Sequence, residues 1–192
     1  ETKMTSYKEE LVRSMKLLAD SGYYFIGQNM QAGGTSMYWT VNELPSEQRI
    51  ELPVFEDIQA GIATGMALEG MKVCCVYPRW DFMLLALNQI VNHLDKAEEM
   101  SGGQFKPKVI IRVAVGSSKP LMPGPQHSND YTNALKTMVT NIDVIELKTA
   151  EDVYPAYEKA MNSDKSTVLV EYPDIYNQEM TDLFIKSREQ RQ

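Results

Sequence analysis

Cysteine and histidine are scarce, each occurring twice in 192 residues. The cysteines, Cys74 and Cys75, are adjacent within an apolar run. There they cannot build a disulfide framework and read as buried strand residues, so a reducing, cytoplasmic setting is expected. No metal site is expected within the chain itself. Positive charge is also in short supply: 19 Lys and Arg stand against 26 Asp and Glu, a formal net charge of -7. Phosphate backbones and anionic membranes are repelled on average by such a chain, and neither nucleic acid nor membrane is an expected partner. No apolar run approaches the ~18–20 residues that a spanning helix requires. The densest stretches, such as residues 82–87, are core-sized. The first residues lack a basic-then-apolar secretory pattern, and the chain opens on Glu1 rather than Met, which implies a preceding segment. Internal repeats and low-complexity stretches are likewise missing.

What remains is an ordinary globular composition, 43% hydrophobic and 23% charged, at a length that suits one domain. Ser6 followed by Glu9 has capping-box spacing, and Leu11, Met15 and Leu18 recur at helical intervals, which predicts a helix over 6–21. Strands are predicted at 23–28, 50–54, 72–77, 109–115, 144–147 and 167–172. Between them, helices are predicted at 56–68, ending at Gly70, and from about Asp81, as cap, to Ser101. Two more are expected at 130–140 and from about Asp152, the last with Pro155 in its first turn. The strands at 72–77 and 109–115 are almost continuously apolar, the mark of strands buried on both faces of a parallel sheet. The fold class is therefore α/β, a mostly parallel six-stranded sheet with helices on both faces and ligands beyond the strands' carboxyl ends. The domain is expected over 1–175, with a polar, solvated or frayed tail at 176–192.

Singly, the chemical candidates read blandly. Glu56 stands where strand gives way to helix, a place where the helix dipole favours a carboxylate. His93 lies mid-helix and reads as structural or surface. His127 sits in a Gly- and Pro-rich loop over 116–129, long enough to suggest function, where an imidazole donates or shuttles protons. Tyr77, Trp80 and Phe82 read as packing.

Several blocks in order carry a stronger signal. They are Pro53-x-x-Glu56, the helix Gly61-Ile62-Ala63-x-Gly65, Asn88-Gln89-Ile90-Val91-Asn92, Met100-Ser101-Gly102-Gly103 and Gln126-His127-Ser128. Over about residues 6–172 the chain resembles the beta subunit of the decarboxylase component of 2-oxo acid dehydrogenases, the pyruvate dehydrogenase type. The resemblance implies a thiamine diphosphate-binding fold in which this domain, transketolase-like, takes the aminopyrimidine ring. Glu56 matches the glutamate that shares a proton with a ring nitrogen and so lets the cofactor generate its own carbanion. Phe82 matches the aromatic that stacks on the ring, Pro78 a ring-contacting position, and His127 the histidine facing substrate. Nothing resembles the Gly-Asp-Gly…Asn motif that holds magnesium and the diphosphate, so Mg2+ is expected on an alpha-type partner subunit, in a heterotetramer. The family's carboxyl-terminal domain has no counterpart in these residues. The segment Pro78-Arg79-Trp80-Asp81 departs from the family pattern, leaving Arg79 and Trp80 as candidate determinants of an unusual substrate. The expected reaction is decarboxylation of a 2-oxo acid with acyl or aldehyde transfer or carboligation. The alternatives are transketolase-like two-carbon transfer and a non-catalytic paralogue serving in assembly or regulation.

Overall fold

Six short strands pair side by side, all parallel, in the order β2-β1-β3-β4-β6-β5. These are β1 Tyr24–Gly27, β2 Arg49–Glu51, β3 Val73–Tyr77, β4 Val109–Ala114, β5 Asp143–Glu146 and β6 Thr167–Glu171. The computed structural model describes residues 5–118 and 122–176. The helices are α1 Tyr7–Asp20, α2 Glu56–Leu68, α3 Trp80–Met83, α4 Ala97–Met100, α5 Thr132–Met138 and α6 Ala150–Asn162. Among the described residues, no helix is long and apolar enough to cross a membrane.

The local signals explain most boundaries. Ser6 caps α1, its Oγ accepting from the Glu9 backbone N–H at 3.2 Å while the Glu9 carboxylate takes the Ser6 N–H at 2.7 Å. β2 stops short of its expected end because Pro53 has no N–H to donate; the last ladder bond runs from Leu52 N–H to the Gly27 carbonyl at 2.8 Å. The last helix begins at Ala150, two residues before the expected start. Asp152 reaches back to the Thr149 N–H at 2.9 Å, and Pro155 falls in the second turn rather than the first.

The expected helix from Asp81 to Ser101 is broken. It runs as α3, a 3-10 turn over Leu84–Ala86, a π turn over Gln89–Leu94, and α4. Apolar residues at three- and four-residue spacing do not distinguish these helix types, and Leu85 faces outward while Ala86 and Ile90 are buried. Asp81 does not cap the helix; its carboxylate is engaged elsewhere. The π turn runs up to Asp95, whose buried carboxylate accepts backbone N–H bonds from Thr140, Asn141 and Ile142 and ties this segment to the start of β5. Burial opposes its ionisation, yet Lys96 and those N–H groups together hold its pKa below the ordinary value.

The sheet buries two different faces. One carries Ile26, Cys75, Ile111, Val113 and Val170 against α2, with its Ala60 and Ala63, and against α3 and α5. The other, under α1 and α6, holds Phe25, Cys74, Ile110 and Leu169, and also a buried ion pair that the strand pattern concealed. Arg112 and Glu171, both fully buried, meet bidentately: Nε to Oε1 at 2.6 Å and Nη2 to Oε2 at 2.9 Å. Tyr157 and Tyr176 donate their hydroxyls to the same carboxylate at 2.6 and 2.8 Å, and Arg112 Nη2 also reaches Thr40 Oγ1 at 3.0 Å. Tyr176 stacks on Tyr7 at 5.6 Å and is buried, so the first residue of the expected polar tail belongs to the core. Residues 177–192, the rest of that tail, lie outside the described residues. Burial disfavours the Arg112 charge and Glu171 restores it, so the guanidinium's pKa stands well above its ordinary range.

Removing one partner strands the other charge in the core. Arg112→Met is expected to cost about 3–5 kcal/mol of unfolding free energy, read from urea denaturation. The Arg112→Met/Glu171→Gln double variant is expected to lose much less than the sum of the single losses. Additive losses would show that the two groups do not act as a pair.

Candidate active site

Because every strand runs the same way, four adjacent strands deliver their following residues to one edge of the sheet. Gln28 follows β1, Glu56 opens α2 beyond β2, Pro78 and Phe82 follow β3, and His127 lies in the loop after β4.

The approach of β1 to β3 sets the geometry at this edge. Gly27 has φ +153, and a Cβ there would lie 2.4 Å from the Val76 carbonyl oxygen. Only glycine lets the strand end pass so close. Gln59, on α2, donates its amide to that same Val76 oxygen at 2.9 Å and to Cys75 Sγ at 3.3 Å. Tyr77, the last residue of β3, donates its hydroxyl to the Glu56 carbonyl at 3.0 Å. Burial, reinforced by Cys75, holds the Tyr77 phenol above its ordinary range, so it remains a donor. Two side chains thus pin the start of α2 to β3. Cys74 and Cys75 are buried and unpaired, as expected, and burial pushes the Cys75 thiol up to about 11, which leaves it unreactive near neutrality.

Glu56 is 4% exposed. Gln28 Nε2 donates to its Oε1 at 3.1 Å, and among the described residues no other side chain bonds to the carboxyl. The other oxygen accepts from no side chain among the described residues. Around this buried acid the surface is apolar and open: Val54 and Phe55 are more than half exposed, and Ile58 and Ile62 continue the strip along α2. Pro78 is buried and Phe82 half-buried. The Phe82 ring meets the His127 imidazole edge-on, centroids 5.5 Å apart with 86° between planes. The structure therefore brings Phe82 and His127 into contact, and places Glu56 at the same edge on the neighbouring helix.

Other candidates fall elsewhere. Trp80, expected as a possible substrate determinant, is fully buried, with Nε1 donating to Thr132 Oγ1 at 3.0 Å; it is core, because a short turn after β3 points the indole inward. Arg79 stays at the edge and donates to the His127 carbonyl at 3.1 Å. His93 is exposed on the π turn. Gln28 is a site residue that the sequence does not single out, because it closes the apolar run predicted as a strand at 23–28. Its one signal was its place directly after a strand whose glycine permits a tight exit. Among the described residues no cluster of three or more acidic, histidine or cysteine side chains could hold a metal ion.

Comparison with known proteins gives the family and the fold. Residues 5–177 match the pyrimidine-binding domain of transketolase. Beta-3 of the chloroplastic pyruvate dehydrogenase E1 component of Oryza sativa subsp. japonica is 27% identical over 158 residues, covering 82% of this chain and 38% of that protein. The E1 beta subunit of Rickettsia felis is 30% identical over 127 residues, 66% of this chain and 38% of its own. This chain thus spans well under two thirds of these relatives. Among solved structures, an inactive beta4 tetramer of a split-gene transketolase superposes with a TM-score of 0.68 at 14% identity, covering 88% of this chain and 51% of that one. The fold, its sheet-edge site and the match over nearly all described residues make this chain a member of the transketolase pyrimidine-binding domain family.

Proposed function

We propose that the chain is the pyrimidine-side subunit of a two-subunit thiamine diphosphate-dependent enzyme acting on a 2-oxo acid. The observation that carries this is Glu56: a buried carboxyl with one oxygen held by Gln28 and the other left for a ligand, beside an exposed apolar strip. When bound, thiamine diphosphate supplies the carbanion nucleophile that adds to the substrate carbonyl. Glu56 holds a proton at a pyrimidine nitrogen, Gln28 keeps the carboxyl aimed, and Phe82 offers apolar surface to the ring. His127 donates to the oxygen that gains charge on the substrate.

The partner is a diphosphate-binding alpha-type subunit, in a heterotetramer, which also supplies the magnesium ligands. A chain of net charge -7 is a poor host for a diphosphate. The exposed Val54, Phe55, Ile58 and Ile62 support an interface at the same edge. A cytoplasmic location belongs to this reading and agrees with two free, buried cysteines.

In the assembled enzyme, Glu56→Gln keeps shape and hydrogen bonding but removes the transferable proton. Turnover is expected to fall by roughly 10²–10⁴, with a matching loss of deuterium exchange at the thiazolium carbon and little change in cofactor affinity. Wild-type exchange in this variant would take Glu56 out of the mechanism. His127→Ala is expected to lower kcat for the 2-oxo acid while leaving that exchange intact, as measured by steady-state kinetics beside the same exchange assay. Unchanged kinetics would place His127 outside the reaction.

A further inference from the structure

Four consecutive residues after β3 each reach into the segment that carries His127. Arg79 Nη1 donates to the His127 carbonyl at 3.1 Å. Asp81 accepts twice from Asn129, from Nδ2 at 2.6 Å and from the backbone N–H at 3.4 Å, and the same Nδ2 donates to the Pro125 carbonyl at 2.7 Å. Trp80 anchors the far end, donating to Thr132 Oγ1 and meeting the Tyr131 ring edge-on at 6.0 Å. Phe82 meets the imidazole itself. Behind the loop, Gly116 closes the remaining side: a Cβ there would lie 1.9 Å from the His127 carbonyl oxygen and 2.5 Å from Ser128 Cα.

The contacts run in step, 79 with 127 and 81 with 129, so one short turn fixes the histidine's own carbonyl and the residue two beyond it, and Asn129 in turn ties back to Pro125 on the other side. A loop rich in Gly and Pro has no ladder of its own to hold a side chain in place, and its backbone groups must find partners elsewhere. Here a charged donor and a charged acceptor supply them. Bonds to ionised groups are shorter and stronger than neutral ones, and a guanidinium and a carboxylate are rigid enough to set position as well as affinity. With the backbone held at His127 and Asn129, the imidazole is left little freedom beyond its own side-chain torsions, and the Phe82 edge restrains those.

We propose that Arg79 and Asp81 are positioning residues for His127, fixing where the imidazole stands against Phe82. The consequence for catalysis rests on His127 facing substrate; the clamp itself is a property of this chain and is testable without partner or cofactor. Only two histidines are present, so imidazole proton resonances of the purified chain separate, and exposed His93 serves as internal control. Phe82→Leu gives the His127 position without the ring current of the phenyl group. In Arg79→Ala and Asp81→Ala the His127 signals are expected to move from the wild-type position to that of Phe82→Leu, with His93 unmoved. Asp81→Asn keeps an acceptor for Asn129 and is expected to stay at the wild-type position. His127 signals unmoved in both alanine variants would overturn the proposal. Should an alanine variant unfold, Arg79→Gln and Asp81→Ser carry the same comparison. In the assembled enzyme the two readings separate: a displaced imidazole with unaltered turnover leaves the clamp standing and removes His127 from the reaction, whereas a reduced kcat supports both.

Discussion

Parallel pairing of the central strands is the constraint from which the site follows. β3 lies between β1 and β4, in register over Tyr24–Gly27 on one side and Val109–Val113 on the other. Strands that all point one way must each be followed by a return over a face of the sheet, so every exit opens on the same edge. Gln28, Glu56, Phe82 and His127 belong to four different exits and are distant in sequence, yet share that edge for this reason alone. The close pass of Gly27 beneath the Val76 carbonyl is what keeps β1 and β3 together where Gln28 must reach Glu56.

The two faces divide the work. Beneath α2 the sheet is apolar, and the residues that locate the site, Gln59 and Tyr77, spend their polar groups on backbone carbonyls rather than on one another. Beneath α1 and α6 lies the Arg112–Glu171 pair, on the side of the sheet away from Glu56 and joined by hydroxyls from Tyr157 and Tyr176. A buried ion pair adds little net stability but strongly penalises any packing that separates its members; here Arg112 Nη1 is left without a hydrogen-bond partner. It ties β4 and β6 to α6 and to the residues that follow β6, holding in register the strand whose exit loop carries His127.

The number of strands, the parallel direction and the extent of α2 were legible because apolar runs and a helix opened by Glu56 and Asp57 and followed by Gly70 are local signals; the order β2-β1-β3-β4-β6-β5 was not, since it is set by pairings distant in sequence. The break in the 81–101 helix was not, since Leu84, Leu87, Ile90 and Leu94 keep a spacing that several helix types share. Arg112 went unread because a single arginine in Val109–Ala114 does not disturb an apolar run; its partner is 59 residues away. Trp80 and Asp81 show the same limit. Departure from the family pattern suggested a substrate determinant at Trp80, against its plainer reading as packing, which holds, and Asp81 suggested a cap; a turn of one residue more or less decides which way an indole faces. Gln28 and the Arg79–His127 contact are long-range pairings, invisible to spacing.

A half-site read from four strand exits makes one demand above others: the cofactor should need both halves. Calorimetric titration of thiamine diphosphate with magnesium into the purified chain, alone and then together with the proposed diphosphate-binding partner, tests this directly. Binding too weak to saturate for the chain alone, and tight only in the complex, is the result this account predicts. Tight, magnesium-dependent binding by the chain alone would contradict it.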